Sequence, residues 1–173
     1  MNNKFAENHI ILGVGANLAS DFGSPKAACG TALEKLAKTG VKITGHSPWY
    51  ESAPVPISDQ PWYVNGVVTV TTDFAPAALL QLMLNIEVQM GRLRSVANAA
   101  RTIDLDLLSF GGMVSEDGEW PILPHPRLHQ LPRHAQMDKT VGACERAELS
   151  ANNVRLPHVH PLSLPAWQDS YTR

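Results

Sequence analysis

"RTIDLDLLSF", residues 101–110, sets two aspartates, Asp104 and Asp106, into a run that otherwise reads as buried strand. Side chains alternate between the faces of a strand, so the two acids point one way and Ile103, Leu105 and Leu107 the other. Carboxylates so placed lie roughly 6.5 Å apart. At an effective dielectric of about 20 they repel by about 2.5 kcal/mol. The pattern therefore predicts one face packed into a core, and an acidic face that needs a positive partner.

The flanking segments say what covers the apolar face. Upstream, "FAPAALLQLMLNIEVQMGR" carries Leu79, Leu82, Met83, Ile86 and Met90 at helical spacing and stops at Gly91, which predicts an amphipathic helix. Before it, "WYVNGVVTVTTD" alternates as a strand. Tyr63, Asn65, Val67 and Thr69 share one face, and Gly66 permits a bulge or a close approach. "VKITGHSPWYES" reads as a further strand and "APVPISDQP" as a loop. "SPKAACGTALEKLAKTG" has Ser24 as N-cap, Pro25 at the first helical position and Gly40 after the last turn, with Ala28, Ala32, Leu33 and Leu36 on its apolar face. "HIILGV" reads as a strand that ends in a tight turn at Gly13-Val14-Gly15.

The resulting order, β-α-β-β-α-β, predicts an α+β ferredoxin-like core. Its antiparallel sheet has both helices on one face and leaves the active site on the open face. Residues 1–130 form this core. Beyond Gln130 no period of 2 or 3.6 persists, and 131–173 reads as a divergent segment whose one helical hint is "VGACERAELSA".

Composition narrows the function. The chain has 173 residues, 44% hydrophobic and 17% charged, with a net charge of −2, which excludes a broadly basic surface for nucleic acid. No run approaches a bilayer span, and Cys29 and Cys144 have neither a CxxC nor a zinc spacing. The expectation is a soluble, cytoplasmic monomer that takes small molecules and neither nucleic acid nor membrane as partners.

Asp104 and Asp106 suit magnesium holding a polyphosphate, although a solvated strand face would look the same. Arg92, Arg94 and Arg101, within ten residues among small side chains, favour the phosphate reading, because guanidinium forks grip phosphate oxygens. Gly13-Val14-Gly15 lacks the third glycine of a dinucleotide fingerprint. His125 and His129 have a zinc-like spacing that Pro126 argues against. Asn65 beside Tyr63 can read a flat heterocycle, or can simply be a polar residue on a wet face.

Five strings together resemble the hydroxymethyldihydropterin pyrophosphokinase family: "GVGANLA", "YESAPVPISDQPWYVNGVV", "IEVQMGRLR", "ARTIDLDLLSFGG" and "LPHPRLH". They cover roughly residues 10–130. The resemblance implies transfer of diphosphate from ATP to 6-hydroxymethyl-7,8-dihydropterin in folate biosynthesis, with ATP as co-substrate and two Mg²⁺ ions. It implies Asp104 and Asp106 as metal ligands and catalytic residues, with Arg92 and Arg94 on a loop that closes over the reactants. It puts Glu87, Arg101 and His125 near ATP, and Ser52, Ala53, Val55, Tyr63 and Asn65 around the pterin. After Gln130 the family's Arg-x-Phe-Val-Leu is missing, and Leu131 and Arg133 stand in those places. A relative that binds ATP or pterin without transfer is the alternative expectation.

Overall fold

The computed structural model describes residues 10–54, 58–92, 99–126 and 159–161. In chain order these form β1 (Ile10–Ala16), α1 (Pro25–Lys38), β2 (Lys42–His46), β3 (Tyr50–Ser52), β4 (Tyr63–Thr71), α2 (Pro76–Gln89), β5 (Asp104–Phe110) and β6 (Val159–Pro161). The architecture is α+β, an antiparallel sheet with two helices. The sheet runs β5-β1-β4-β3-β6, with β2 also on β4.

Local chemistry sets the elements. Ser24 accepts a hydrogen bond from the Ala27 N–H, Pro25 opens α1 with its φ already helical, and Gly40 leaves the helix at φ +95°. The predicted second strand divides in two. β2 pairs with the later half of β4 (His46 opposite Val68), and β3 with the earlier half (Tyr50 opposite Asn65). Between them the Ser47 hydroxyl takes the Val67 N–H at 3.0 Å, while the Ser47 N–H donates to the Val67 carbonyl at 2.8 Å. A serine side chain thus closes the ladder where Pro48, with no N–H, cannot.

One face of the sheet packs with both helices in a single core. Leu12 and Val14 of β1, Val68 and Val70 of β4, and Leu105 and Leu107 of β5 meet Leu33 and Leu36 of α1 and Leu79, Met83 and Ile86 of α2. Ile103 is also fully buried there. The opposite face is less bare than the sequence predicts, because Val67, Thr69 and Leu108 are buried too. Alternation places Val67 and Thr69 on that face, and a bulge turns Leu108 toward Gly13.

Two further expectations are corrected. Gly13 and Gly15 lie inside β1, paired on both sides, so the tight turn predicted there is continuous strand. The bulge permitted at Gly66 is absent, since β1 and β4 keep register from Ile10–Val70 to Ala16–Val64. The register shifts fall instead between Ile11 and Leu12 on β1 and between Ile43 and Gly45 on β2. Gly66 serves a close approach: a Cβ there would come within 2.8 Å of two Trp49 indole carbons. That ring is buried and rigid, so Gly66→Ala should cost about 1–3 kcal/mol, read as a lower urea midpoint with an unchanged slope. A midpoint within error of wild type would show that the indole moves freely.

The one described piece of 131–173 is β6, which pairs with β3 (Glu51 opposite His160). Three residues are too few to show a period. The helical hint at 141–151 lies outside the described residues.

Candidate active site

The site is built on rows across the sheet. On one row Asp104 of β5 lies opposite Gly15 of β1, Gly15 opposite Asn65 of β4, and Asn65 opposite Tyr50 of β3. On the next, Asp106 lies opposite Gly13, and Gly13 opposite Val67. Both glycines fall between an acid and a β4 residue, so on these two rows β1 puts no side chain on that face, although Leu108 packs against Gly13. What results is a trough two strand spacings wide, roughly 10 Å from acid to amide at the backbone.

Space in the trough is limited. A Cβ on Gly15 would lie 2.7 Å from Asn65 Oδ1. Asn65 is itself fixed, its Nδ2 donating to Ser52 Oγ at 2.9 Å, and Ser52 lies opposite Tyr63. Tyr63, Asn65 and Ser52 therefore form one wall, and Ala53 follows directly after β3. Gly15→Ala should push the Asn65 amide aside and break its bond to Ser52. We expect heterocycle affinity to fall about tenfold, the size of one hydrogen bond to a polar group, with the urea midpoint nearly unchanged. Titration of a fluorescent pterin reads the first quantity, and unaltered affinity would remove Asn65 from the site.

The other wall is charged. Arg101 Nη1 pairs with Asp104 Oδ2. Arg92 Nη1 lies 2.5 Å from Asp104 Oδ1 and also pairs with Glu87 Oε1. His125 Nε2 lies 3.6 Å from Asp106 Oδ1, and the His125 backbone N–H donates to the Leu108 carbonyl at 2.9 Å. The Asp104 charge is thus answered by two guanidiniums, and the His125 imidazole stands beside Asp106. Burial works against the Arg101 charge, but Asp104, aided by Tyr63 and Asp106, more than offsets it and raises the pKa above its ordinary value. Arg101 stays a cation at any working pH.

The acids differ in exposure. The Asp104 side chain is 17% exposed and that of Asp106 is 36%. Glu87 is 1% exposed, on the face of α2 that carries Met83 and Ile86. Its Oε1 accepts the Leu105 N–H at 2.7 Å. That donor lies on the edge strand of the sheet, where no further strand is present among the described residues to accept it. Glu87 thus meets the trough through Arg92.

Asn17, which the sequence reading passed over, latches this wall to the loop before β4. Fully buried, it accepts the Arg101 N–H at 2.8 Å on Oδ1 and donates from Nδ2 to the Pro61 carbonyl at 3.1 Å. Its own N–H donates to the Arg101 carbonyl at 3.0 Å. The signal was a short amide directly after an apolar strand, a place where an exposed turn also uses asparagine.

Val55, Arg94, His129, Leu131 and Arg133 lie outside the described residues. Cys29 packs into α1, and burial pushes its thiol up to about 12, so it stays neutral and inert. A cavity of about 450 Å³ lined by Ile10, Thr71, Thr72, Phe110, Gly112 and Met113 lies at the other end of β1 and holds no charged group.

The trough fits a hard cation. Magnesium takes one or two protein carboxylates and fills its remaining positions from phosphate and water, so two carboxylates on one face suffice. No group of three or more His, Cys, Asp or Glu that could hold a metal occurs among the described residues. No helix among them is long and apolar enough to cross a membrane.

Comparison with known proteins matches residues 11–134 to 7,8-dihydro-6-hydroxymethylpterin-pyrophosphokinase (HPPK). The folate synthesis bifunctional protein, mitochondrial, of Arabidopsis thaliana is 34% identical over 123 residues, which are 70% of this chain and 21% of that protein. The 2-amino-4-hydroxy-6-hydroxymethyldihydropteridine pyrophosphokinase of Methylorubrum extorquens is 36% identical over 115 residues, 66% of this chain and 70% of that one. Its counterpart in Pseudomonas aeruginosa is 36% identical over 124 residues, 72% and 73% of the two chains. The chain thus spans about a fifth of the plant relative and nearly three quarters of each bacterial one.

Proposed function

Because the chain belongs to the 7,8-dihydro-6-hydroxymethylpterin-pyrophosphokinase family, we propose that it transfers diphosphate from ATP to 6-hydroxymethyl-7,8-dihydropterin in folate biosynthesis. The pterin hydroxyl oxygen bonds to the β-phosphorus, the bond from that phosphorus to the α,β-bridging oxygen breaks, and AMP leaves. The hydroxyl proton is lost in the exchange. We take residues 1–130 as a ferredoxin-like core and 131–173 as a divergent addition. The strand order β5-β1-β4-β3 with two crossover helices supports that core.

The observation that carries the reading is the trough, with two acids on one wall, an amide and a phenol on the other, and glycines between. Asn65 and Ser52 offer hydrogen bonds to a flat heterocycle, and Tyr63, Ala53 and Val55 enclose it. Asp104 and Asp106 would hold two Mg²⁺ ions, whose chemistry is neutralisation of triphosphate charge. Arg101 and His125 meet the phosphates, and Arg92 and Arg94 flank the reactants. Glu87 belongs with Arg92 as its holder rather than with ATP, because its carboxylate is buried and already bonded to Leu105. The residues orient the hydroxyl in line with the leaving AMP, so positioning and charge compensation carry the rate. We further propose a monomer in the cytoplasm, a reducing compartment in keeping with the free thiol of Cys29.

Incubation with ATP, Mg²⁺ and the reduced pterin, followed by chromatography, tests this reading. AMP and the pterin diphosphate should appear in equal amounts, and neither without the pterin. ATP consumption that yields ADP, or no consumption at all, would overturn it.

A further inference from the structure

Asp104 has both carboxylate oxygens engaged, Oδ1 by Arg92 and Oδ2 by Arg101. Each oxygen keeps a second lone pair, but a cation that enters this carboxylate meets two guanidinium charges, which favours withdrawal of one of them. The two arginines are not equivalent competitors. Among the described residues the Arg101 guanidinium has Asp104 as its one acid, with Nε donating to the Ala99 carbonyl at 3.3 Å, while Arg92 is shared between Asp104 and Glu87. Glu87 is 1% exposed, and an ion pair is harder to dissolve where water is excluded. Arg92 is tied again through the backbone, its N–H donating to the Glu87 carbonyl at 3.0 Å. The Arg101 backbone is held as well, by Asn17 on both sides, so the two arginines differ in their side-chain partners.

We propose that Glu87 is a positioning residue that decides which arginine yields to the metal: as a divalent cation takes Asp104, Arg92 stays on Glu87 and Arg101 is released toward the phosphates. Arg101 is thus the resident counter-ion of the empty acid, and becomes a phosphate ligand only when the metal replaces it. This inference rests on the reading of Asp104 as a metal ligand. It couples metal entry to assembly of the phosphate grip, since a guanidinium held by a carboxylate is poorly available to a phosphate.

Guanidinium ¹⁵N NMR during titration with Mg²⁺ alone tests it, because a side chain held in an ion pair shows slowed rotation about the Nε–Cζ bond. In the wild type the Arg101 resonances should shift to free rotation as Mg²⁺ saturates, while those of Arg92 stay slow. Glu87→Gln keeps an acceptor for the Leu105 N–H but removes the charge, and there both arginines should be freed. Arg101→Gln removes the competitor and should tighten Mg²⁺ binding by calorimetry about five- to tenfold, the worth of one charge-assisted hydrogen bond. Release of Arg92 with Arg101 held, or no release of either at saturation, overturns the exchange and leaves the metal site standing. Unchanged Mg²⁺ affinity in Asp104→Asn removes the metal site, and the exchange with it. Should the Glu87 variant fail to fold, the wild-type titration still decides.

Discussion

Asp104→Asn and Asp106→Asn should each lower AMP formation at least about a hundredfold, the loss typical when one charge-stabilising group is taken from a transfer reaction. The substitutions keep the side-chain shape and remove one negative charge from the wall of the trough. They should separate on stability. Asp104 balances Arg92 and Arg101 in a partly buried cluster, so its neutralisation should cost roughly 1–2 kcal/mol after allowance for solvent screening. Asp106 faces His125 at 3.6 Å and is twice as exposed, so the midpoint of its variant should barely move. Turnover assays beside urea melts check both halves. Near-normal turnover in both variants would defeat the metal assignment, and equal destabilisation would defeat the account of the cluster.

Glu87→Ala should be the most destabilising single change at the site, at about 3 kcal/mol. It strips Arg92 of one acid, leaves the Leu105 N–H without its acceptor, and opens space beneath α2. Glu87→Gln restores the acceptor and the volume, and should recover more than half of that loss. Urea unfolding of the pair distinguishes charge from shape. If the two variants were equally unstable, the ion pair alone would account for the residue. If neither were affected, Glu87 would have no structural part in holding Arg92.

The sequence makes some of this legible and hides the rest. The alternation in Ile103–Leu107 places the acids correctly opposite the core, since strand geometry leaves a period of 2 no choice. Ser24, Pro25 and Gly40 mark the ends of α1 because each chemical preference acts within one turn. Ser47–Trp49 escapes the same reading. There a serine hydroxyl replaces a backbone group in the ladder, and only the distant Val67 shows that it does. Gly13 and Gly15 look like a turn because glycine is needed equally where a chain bends and where a neighbour crowds. At Gly15 that neighbour is Asn65, some fifty positions on. Glu87 offers a clearer warning. It follows Leu79 and Met83 by eight and four residues, which puts a carboxylate on the apolar stripe of a helix, and an acid there demands a partner.

The bond from Leu105 to Glu87 also bears on how the chain behaves before it is fully folded. Among the described residues β5 is the outermost strand on its side, and a row of vacant donors there would template pairing with other copies, the first step toward aggregates. A buried carboxylate that occupies one donor, with the end of α2 laid along the same edge, blocks that growth. Loosening Glu87 should therefore make refolding at high concentration less efficient as well as weakening the folded state.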